Sequence, residues 1–343
     1  MRHPEDELGG GRSTGSDNLE PPASRLSFQL YFLWMLIIPA LFLASAIPIV
    51  RSASFPAVSG DPFLLNPDYA FSLNHADCEI VVYGDSTAQT GLDPTVISRA
   101  TGMKTCNIAQ AQSVVKILGM LALDTYLKNN LPPKYIVIQF APETLSRNTS
   151  FFWPEGLTLL LRKKSLLEAL PTFIEHPVKA YQFSIWAMKA MVGSLIKPPA
   201  DEFASTEAIF RSHGGLLILP KAAETHCLNA NSYFEPATEW VQSLKERYTR
   251  NGTRVIINVS PLPNCSPIAP LVASNTRNVT DNSLSLFPIE LFCDLDRHLT
   301  LAGAERASME LAEQLLAATK SVVGATHEHS WDAVSMTSNR EVH

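Results

Sequence analysis

The chain has no sustained stripe of Lys or Arg, and acidic residues outnumber basic ones, 33 to 27, for a formal charge of -6. A protein that grips nucleic acid needs clustered cations to neutralise phosphates, so no nucleic acid is expected as a partner. None of the five cysteines (Cys78, Cys106, Cys227, Cys265, Cys293) forms a C-x-x-C pair, and Cys and His follow no regular spacing. The usual pattern for structural zinc is therefore missing; no metal and no organic cofactor is expected. An oxidising compartment would allow two disulfides and one remaining thiol, and Cys265 with Cys293 is the expected pair because it would staple a long polar loop.

Charge is absent altogether from Phe28 to Val50, FQLYFLWMLIIPALFLASAIPIV. At about 1.5 Å of rise per residue this run is long enough to cross a hydrocarbon core of about 30 Å. Pro39 and Pro48 would kink such a helix without forbidding it. The other reading is the apolar region of a cleavable signal peptide, with Ala44-Ser45-Ala46 as the small-residue site. Arg2, Arg12 and Arg25 precede the run while Arg51 stands alone behind it, a bias toward a cytoplasmic N-terminus. Either reading leaves everything after Arg51 on the extracytoplasmic (periplasmic) side of the cytoplasmic membrane.

The expected organisation is a disordered cytoplasmic tail over 1–25, a transmembrane anchor over 26–51, a folded domain over 70–319 and a disordered tail over 320–343. Within the domain, Glu79 to Tyr83, Lys134 to Phe140 and Arg254 to Val259 are short β-branched runs, the pattern of strands buried on both faces of a parallel sheet. Thr105 to Ile108 reads as a shorter strand, and Gly215 to Leu219 as a strand or a helix start. Helical stretches lie between them over Ser113 to Lys128, Ala237 to Arg250 and Thr300 to Ala318. Alternating strands and helices predict an α/β fold around a doubly wound parallel sheet, whose ligands sit at the carboxyl ends of the strands. An insertion over 143–213 carries two apolar helical runs, Leu157 to Leu170 and Val178 to Ile196. These either complete the core or form a cap or membrane-facing lid.

The chemistry-bearing candidate is Gly84-Asp85-Ser86, placed directly after the strand EIVVY. Gly84 permits a tight turn that presents the next side chains at the sheet edge, as a nucleophile elbow does. A serine hydroxyl needs a base to take its proton. Outside the tails the histidines are His75, His176, His213, His226 and His298, and only His298 has an acidic neighbourhood with a helix following at once: CDLDRHLTLAGAERASMELAEQLL. A carboxylate would hold its tautomer, and Asp294 and Asp296 are the two candidates. Plainer roles stay open as well: Asp85-Ser86 as a helix cap, His298 as polar surface before a capping Thr300, and Asn107 as a turn residue.

Taken in order, GDSxxxxGLDP, TCNIAQAQS, PPKYIVIQFAPETL and DLDRHLTLAGA resemble the SGNH (GDSL-type) hydrolase superfamily, over residues 78–142 and 252–319. The flavour is closest to its membrane-anchored, extracytoplasmic branch, which handles O-acetyl and related acyl groups of cell-envelope polysaccharides. The resemblance implies a flavodoxin-like three-layer sandwich, Ser86 as nucleophile, His298 as base, and an oxyanion or substrate-binding set comprising Asp85, Asn107, Ala109, Gln110 and Gln112. It implies a serine esterase or O-acyltransferase, with an acyl-ester or polysaccharide substrate and other polysaccharide-modification subunits as partners. The chain departs from the family pattern in three places. Ala109 and Gln112 stand where glycines would be, Gln139-Phe140-Ala141-Pro142 replaces Gly-x-Asn-Asp, and Leu295 holds the position three before His298 where Asp is usual. A catalytically impaired scaffold or sugar-binding subunit, or a lipid-directed esterase or thioesterase roofed by Trp186, Met188 and Met191, are the rival readings.

Overall fold

The computed structural model describes residues 25–59, 61–146, 154–196, 202–215, 225–227, 234–249, 252–293 and 298–337, with some side chains inside helices left out. The chain opens with α1 (Arg25–Arg51), α2 (Phe55–Val58) and α3 (Pro62–Ser72), then alternates: β1 (Ile80–Gly84), α4 (Ser86–Gly91), α5 (Pro94–Thr101), β2 (Thr105–Asn107), α6 (Gln112–Leu118), α7 (Leu121–Asn129) and β3 (Tyr135–Phe140). The insertion supplies α8 (Pro142–Leu145), α9 (Pro154–Lys163), α10 (Leu166–Glu175), α11 (Pro177–Ile196) and α12 (Glu202–Arg211). It is followed by α13 (Thr238–Tyr248), β4 (Arg254–Val259), β5 (Leu262–Pro263), α14 (Ala269–Thr276), β6 (Leu286–Phe287), β7 (Phe292–Cys293), β8 (His298–Leu299) and α15 (Leu301–Thr337).

The protein is a mixed α/β fold built on a parallel sheet of order β2-β1-β3-β4. Strand side chains alternate between faces, and both faces are covered. Val81, Tyr83, Ile136, Ile138 and Ile257 pack with Leu123, Tyr126, Leu244 and Val272. Ile80, Val82, Val137 and Ile256 pack with Leu92, Ile97, Leu311 and Leu315. That double burial is why these strands are continuous apolar runs.

Several expectations are refined. The helix read over Ser113 to Lys128 is two, α6 and α7, because Gly119 turns the chain at φ 58. The run from Leu157 to Leu170 also splits, since Ser165 and Glu168 form a reciprocal capping box that starts α10 afresh. At the end of the chain, α15 is continuous to Thr337, beyond the 320 at which a tail was expected. Its last stretch contains no proline to stop it. Residues 216–219 of the Gly215 to Leu219 run lie outside the described residues.

The expected Cys265–Cys293 bridge is corrected. The disulfides are Cys78–Cys106 and Cys227–Cys265, with Cα atoms 5.9 and 6.0 Å apart. Pairing of β7 with β8 turns Cys293 inward, where it is buried and its thiol donates to the Leu299 carbonyl at 3.6 Å.

The insertion forms a layer of its own. Ala46 and Val50 of α1, Phe55, Leu64 and residues of α9 to α11, Leu160, Leu161, Phe173, Phe183 and Ala187 among them, make a third apolar cluster. Arg51 at the end of α1 donates to the carbonyls of Leu161 and Lys164 at 2.8 and 2.9 Å, and Arg162 reaches back to Ser52. Among the described residues no helix is long and apolar enough to cross a membrane. Several side chains of α1 lie outside the described set.

Candidate active site

Ser86 is the first residue of α4, directly beyond the carboxyl end of β1. The turn that puts it there needs glycine at 84. Gly84 has φ +156, and a Cβ built on it would stand 1.9 Å from the Gln139 carbonyl oxygen of the neighbouring strand. Asp85 then locks the turn. One carboxylate oxygen accepts from the Thr87 N–H at 2.9 Å and the Thr87 hydroxyl at 2.6 Å, and the other accepts from the Ala141 N–H at 2.7 Å. Asp85 is completely buried, with both oxygens committed. Expected in the oxyanion or substrate-binding set, Asp85 here ties the serine turn to the end of β3.

His298 arrives from the other end of the chain. In the β7–β8 hairpin it sits opposite Cys293, and the next residue but one, Thr300, starts α15 by accepting from the Gly303 N–H at 3.2 Å. The hairpin delivers the imidazole to the serine: His298 Nε2 and Ser86 Oγ lie 3.0 Å apart. Two side chains 212 positions apart thus meet within hydrogen-bonding reach. The aromatic ring beside the imidazole is Phe63 of α3, with centroids 5.7 Å apart. Trp186, expected as a roof, instead packs against Phe55 and Phe183 in the third cluster. Asp294 and Asp296, the two candidates for orienting the imidazole, fall in 294–297, outside the described residues.

The loop after β2 divides into donors already spent and donors left over. Asn107 donates both amide hydrogens, to the carbonyls of Ala88 and Leu92 at 2.9 and 2.8 Å, while its oxygen accepts from the Ala109 N–H. The Gln110 N–H goes to the Gly84 carbonyl and its side-chain amide to the Ile108 carbonyl. Asn107 and the backbone N–H groups of Ala109 and Gln110, expected in the oxyanion or substrate-binding set, therefore pin the loop against the serine turn. A developing negative oxygen needs donors about 2.7 to 3.1 Å away. Among the described residues, the backbone N–H groups of Ser86, Ala111 and Gln112 have no acceptor. The Gln112 side chain donates to the Thr144 hydroxyl at 2.7 Å, bridging α6 to α8.

Sequence reasoning missed a carboxyl pair close to this site. Asp61 caps α3, its oxygen accepting from the Phe63 N–H at 2.9 Å, and so seats the ring that touches His298. It also meets Glu155 of α9, whose carboxylate accepts from the Ser113 hydroxyl at 3.0 Å. Burial first, then repulsion from Asp61, pushes Glu155 up to about 7, and burial also raises Asp61. Glu155 therefore gives up its proton only as the pH approaches neutrality. The helices approach closely here because Gly156 leaves room: a Cβ would stand 2.6 Å from the Ser113 carbonyl. Asp followed by Pro at a helix start was readable as a cap, but nothing in the sequence signals its meeting with Glu155.

No group of His, Cys, Asp and Glu suited to a metal occurs among the described residues. Compared with family models, curated proteins and solved structures, the chain finds no match.

Proposed function

We propose that the chain is a membrane-anchored, extracytoplasmic SGNH-type serine esterase or O-acyltransferase acting on acyl groups, acetyl foremost, of cell-envelope polysaccharide. The single observation that carries this reading is the 3.0 Å approach of His298 Nε2 to Ser86 Oγ at the carboxyl edge of a parallel sheet. In the first step His298 takes the serine proton as Oγ bonds to the acyl carbon, and the leaving alkoxide then takes that proton as its bond to the acyl carbon breaks. In the second, water or a sugar hydroxyl gives its proton to His298 as its oxygen bonds to the acyl carbon, and Ser86 Oγ takes that proton from His298 as its own bond to the acyl carbon breaks. Asp294 or Asp296 orients the imidazole, and the backbone N–H groups of Ser86, Ala111 and Gln112 receive the oxyanion.

The strand order and the helices on both faces support the finer description, a flavodoxin-like three-layer sandwich of SGNH type. Two disulfides favour an oxidising compartment. Anchorage through α1 completes the localisation, with other polysaccharide-modification subunits as partners. One observation favours a second reading, a catalytically impaired scaffold or sugar-binding subunit: Asn107 has no hydrogen to spare and the Gln139–Pro142 block has no asparagine. Of the roof that the lipid-directed reading invokes, Trp186 packs in the third cluster.

Ester hydrolysis and acetyl transfer by the full-length protein test the reaction class. The expected result is turnover of p-nitrophenyl acetate, falling steeply as the acyl chain lengthens. No turnover of any ester, with or without polysaccharide acceptor, supports the scaffold instead.

A further inference from the structure

The insertion carries an apolar ridge that none of the described residues covers. Leu166, Leu167, Leu170 and Ile174 of α10 and Val178 and Tyr181 of α11 are all exposed, Leu167 to 82%. Within α10, spacings of three and four residues put Leu167, Leu170 and Ile174 along one face, beside Leu166, and a spacing of three puts Val178 and Tyr181 together on α11. They are not a leftover of poor packing, because Ala169, Phe173, Ala180 and Phe183 on the opposite face are buried in the third cluster.

The position of the ridge identifies what covers it. The exposed apolar side of α1 includes Phe28, Tyr31, Phe32, Leu33, Trp34, Met35, Ile38 and Leu41, whereas Ala46 and Val50 are buried against the insertion. From Phe28 to Ser45 the helix rises only about 27 Å, slightly less than the roughly 30 Å hydrocarbon core that a spanning helix must cross. The last turns of α1, wrapped by α9 and α11, therefore reach into the outer interface. Arg51 closes α1 with a hydrogen bond to the Lys164 carbonyl, and α10 begins two residues later. The ridge starts where α1 leaves the bilayer. Lys163 and Lys164 stand beside this junction with Arg51 and Arg162, against Asp68 and Glu168. Cationic side chains at the end of a span are the usual neighbours of lipid headgroups.

We propose that α10 and the first turn of α11 lie in the outer-leaflet interface, with the ridge from Leu166 to Tyr181 immersed among lipid headgroups and upper acyl chains. This gives the domain a second membrane contact and a fixed orientation. It also sets the height of the site. Leu64 belongs to this membrane-side cluster while its neighbour Phe63 touches His298, so the Ser86–His298 pair sits one residue step from the layer seated on the lipid. The inference rests on the reading of α1 as the anchor.

The test uses full-length protein in liposomes of phosphatidylethanolamine and phosphatidylglycerol, with an environment-sensitive fluorophore on one introduced cysteine at a time: Leu167→Cys, Ile174→Cys, Phe32→Cys on α1, and Glu246→Cys on α13. The expected result is blue-shifted emission and strong quenching by doxyl lipids labelled near the headgroup at 167 and 174, and none at 246. Quenching at 32 without quenching at 167 and 174 overturns the inference and leaves the anchor standing. Absence of quenching at all three sites removes the anchor as well. Labels at 167 and 174 that are shielded from aqueous iodide yet insensitive to doxyl lipid report a protein partner on the ridge, which also overturns it.

Discussion

At the scale of single residues, the site depends on a backbone turn as much as on the two side chains that meet across it. Gly84→Ala would drive a methyl group into the Gln139 carbonyl. It is expected to lower stability by about 3 to 5 kcal/mol, in the range of severe overpacking and backbone strain, measured by urea unfolding in detergent. The carboxyl pair makes a prediction of opposite kind. Glu155 has its folded-state value raised to about 7, from 4.5. The folded chain thus binds a proton that the unfolded chain releases near 4.5. The associated stability is fully present below that pH and is lost as pH rises through 7, with a slope of up to about 1.4 kcal/mol per pH unit. Thermal melts between pH 5 and 8 should show this fall, and Glu155→Gln should flatten it. Ser86 and His298 were legible because each sits at a recognisable junction, a strand end and a helix start. Asn107 was legible as a residue of consequence but not in its task, since only the folded chain shows both amide hydrogens held by Ala88 and Leu92. Phe63, Asp61 and Glu155 were invisible as a group because their contacts join elements far apart in sequence.

Among the elements, the sheet was the most readable part and the insertion the least. Strands buried on both faces leave uninterrupted β-branched runs, and β1, β3 and β4 fall within one residue of where those runs lie. Helix breaks at Gly119 and Ser165 escaped notice because apolar periodicity continues across them; the break at 165 comes from a capping box, a local hydrogen-bond preference that outweighs the pattern. The third cluster joins the insertion to α1, α2 and α3, so a cavity there should loosen all of them. Phe183 is fully buried in it. Phe183→Ala is expected to cost about 3 to 5 kcal/mol, with proteolysis of the detergent-solubilised protein appearing first within α9 to α11.

For the whole molecule, one sheet edge gathers groups from residue 61 to residue 303, and two disulfides fasten the frame around it. Cys78–Cys106 ties the segment leading into β1 to β2, and Cys227–Cys265 closes a stretch of 38 residues. By loop-closure entropy each is worth about 3.5 to 4 kcal/mol. Reduction, or the paired change C227A/C265A, should lower the melting temperature of the full-length protein, and calorimetry with and without reductant measures it. The central claim is that a hydroxyl and an imidazole from opposite ends of the domain act as one nucleophile. Fluorophosphonate labelling of the full-length protein, with the modified peptide identified by mass spectrometry, tests it most directly. The account predicts a single adduct on Ser86, absent in Ser86→Ala and slowed by about three orders of magnitude or more in His298→Ala. An adduct that persists in Ser86→Ala, or that forms equally fast without His298, would contradict it.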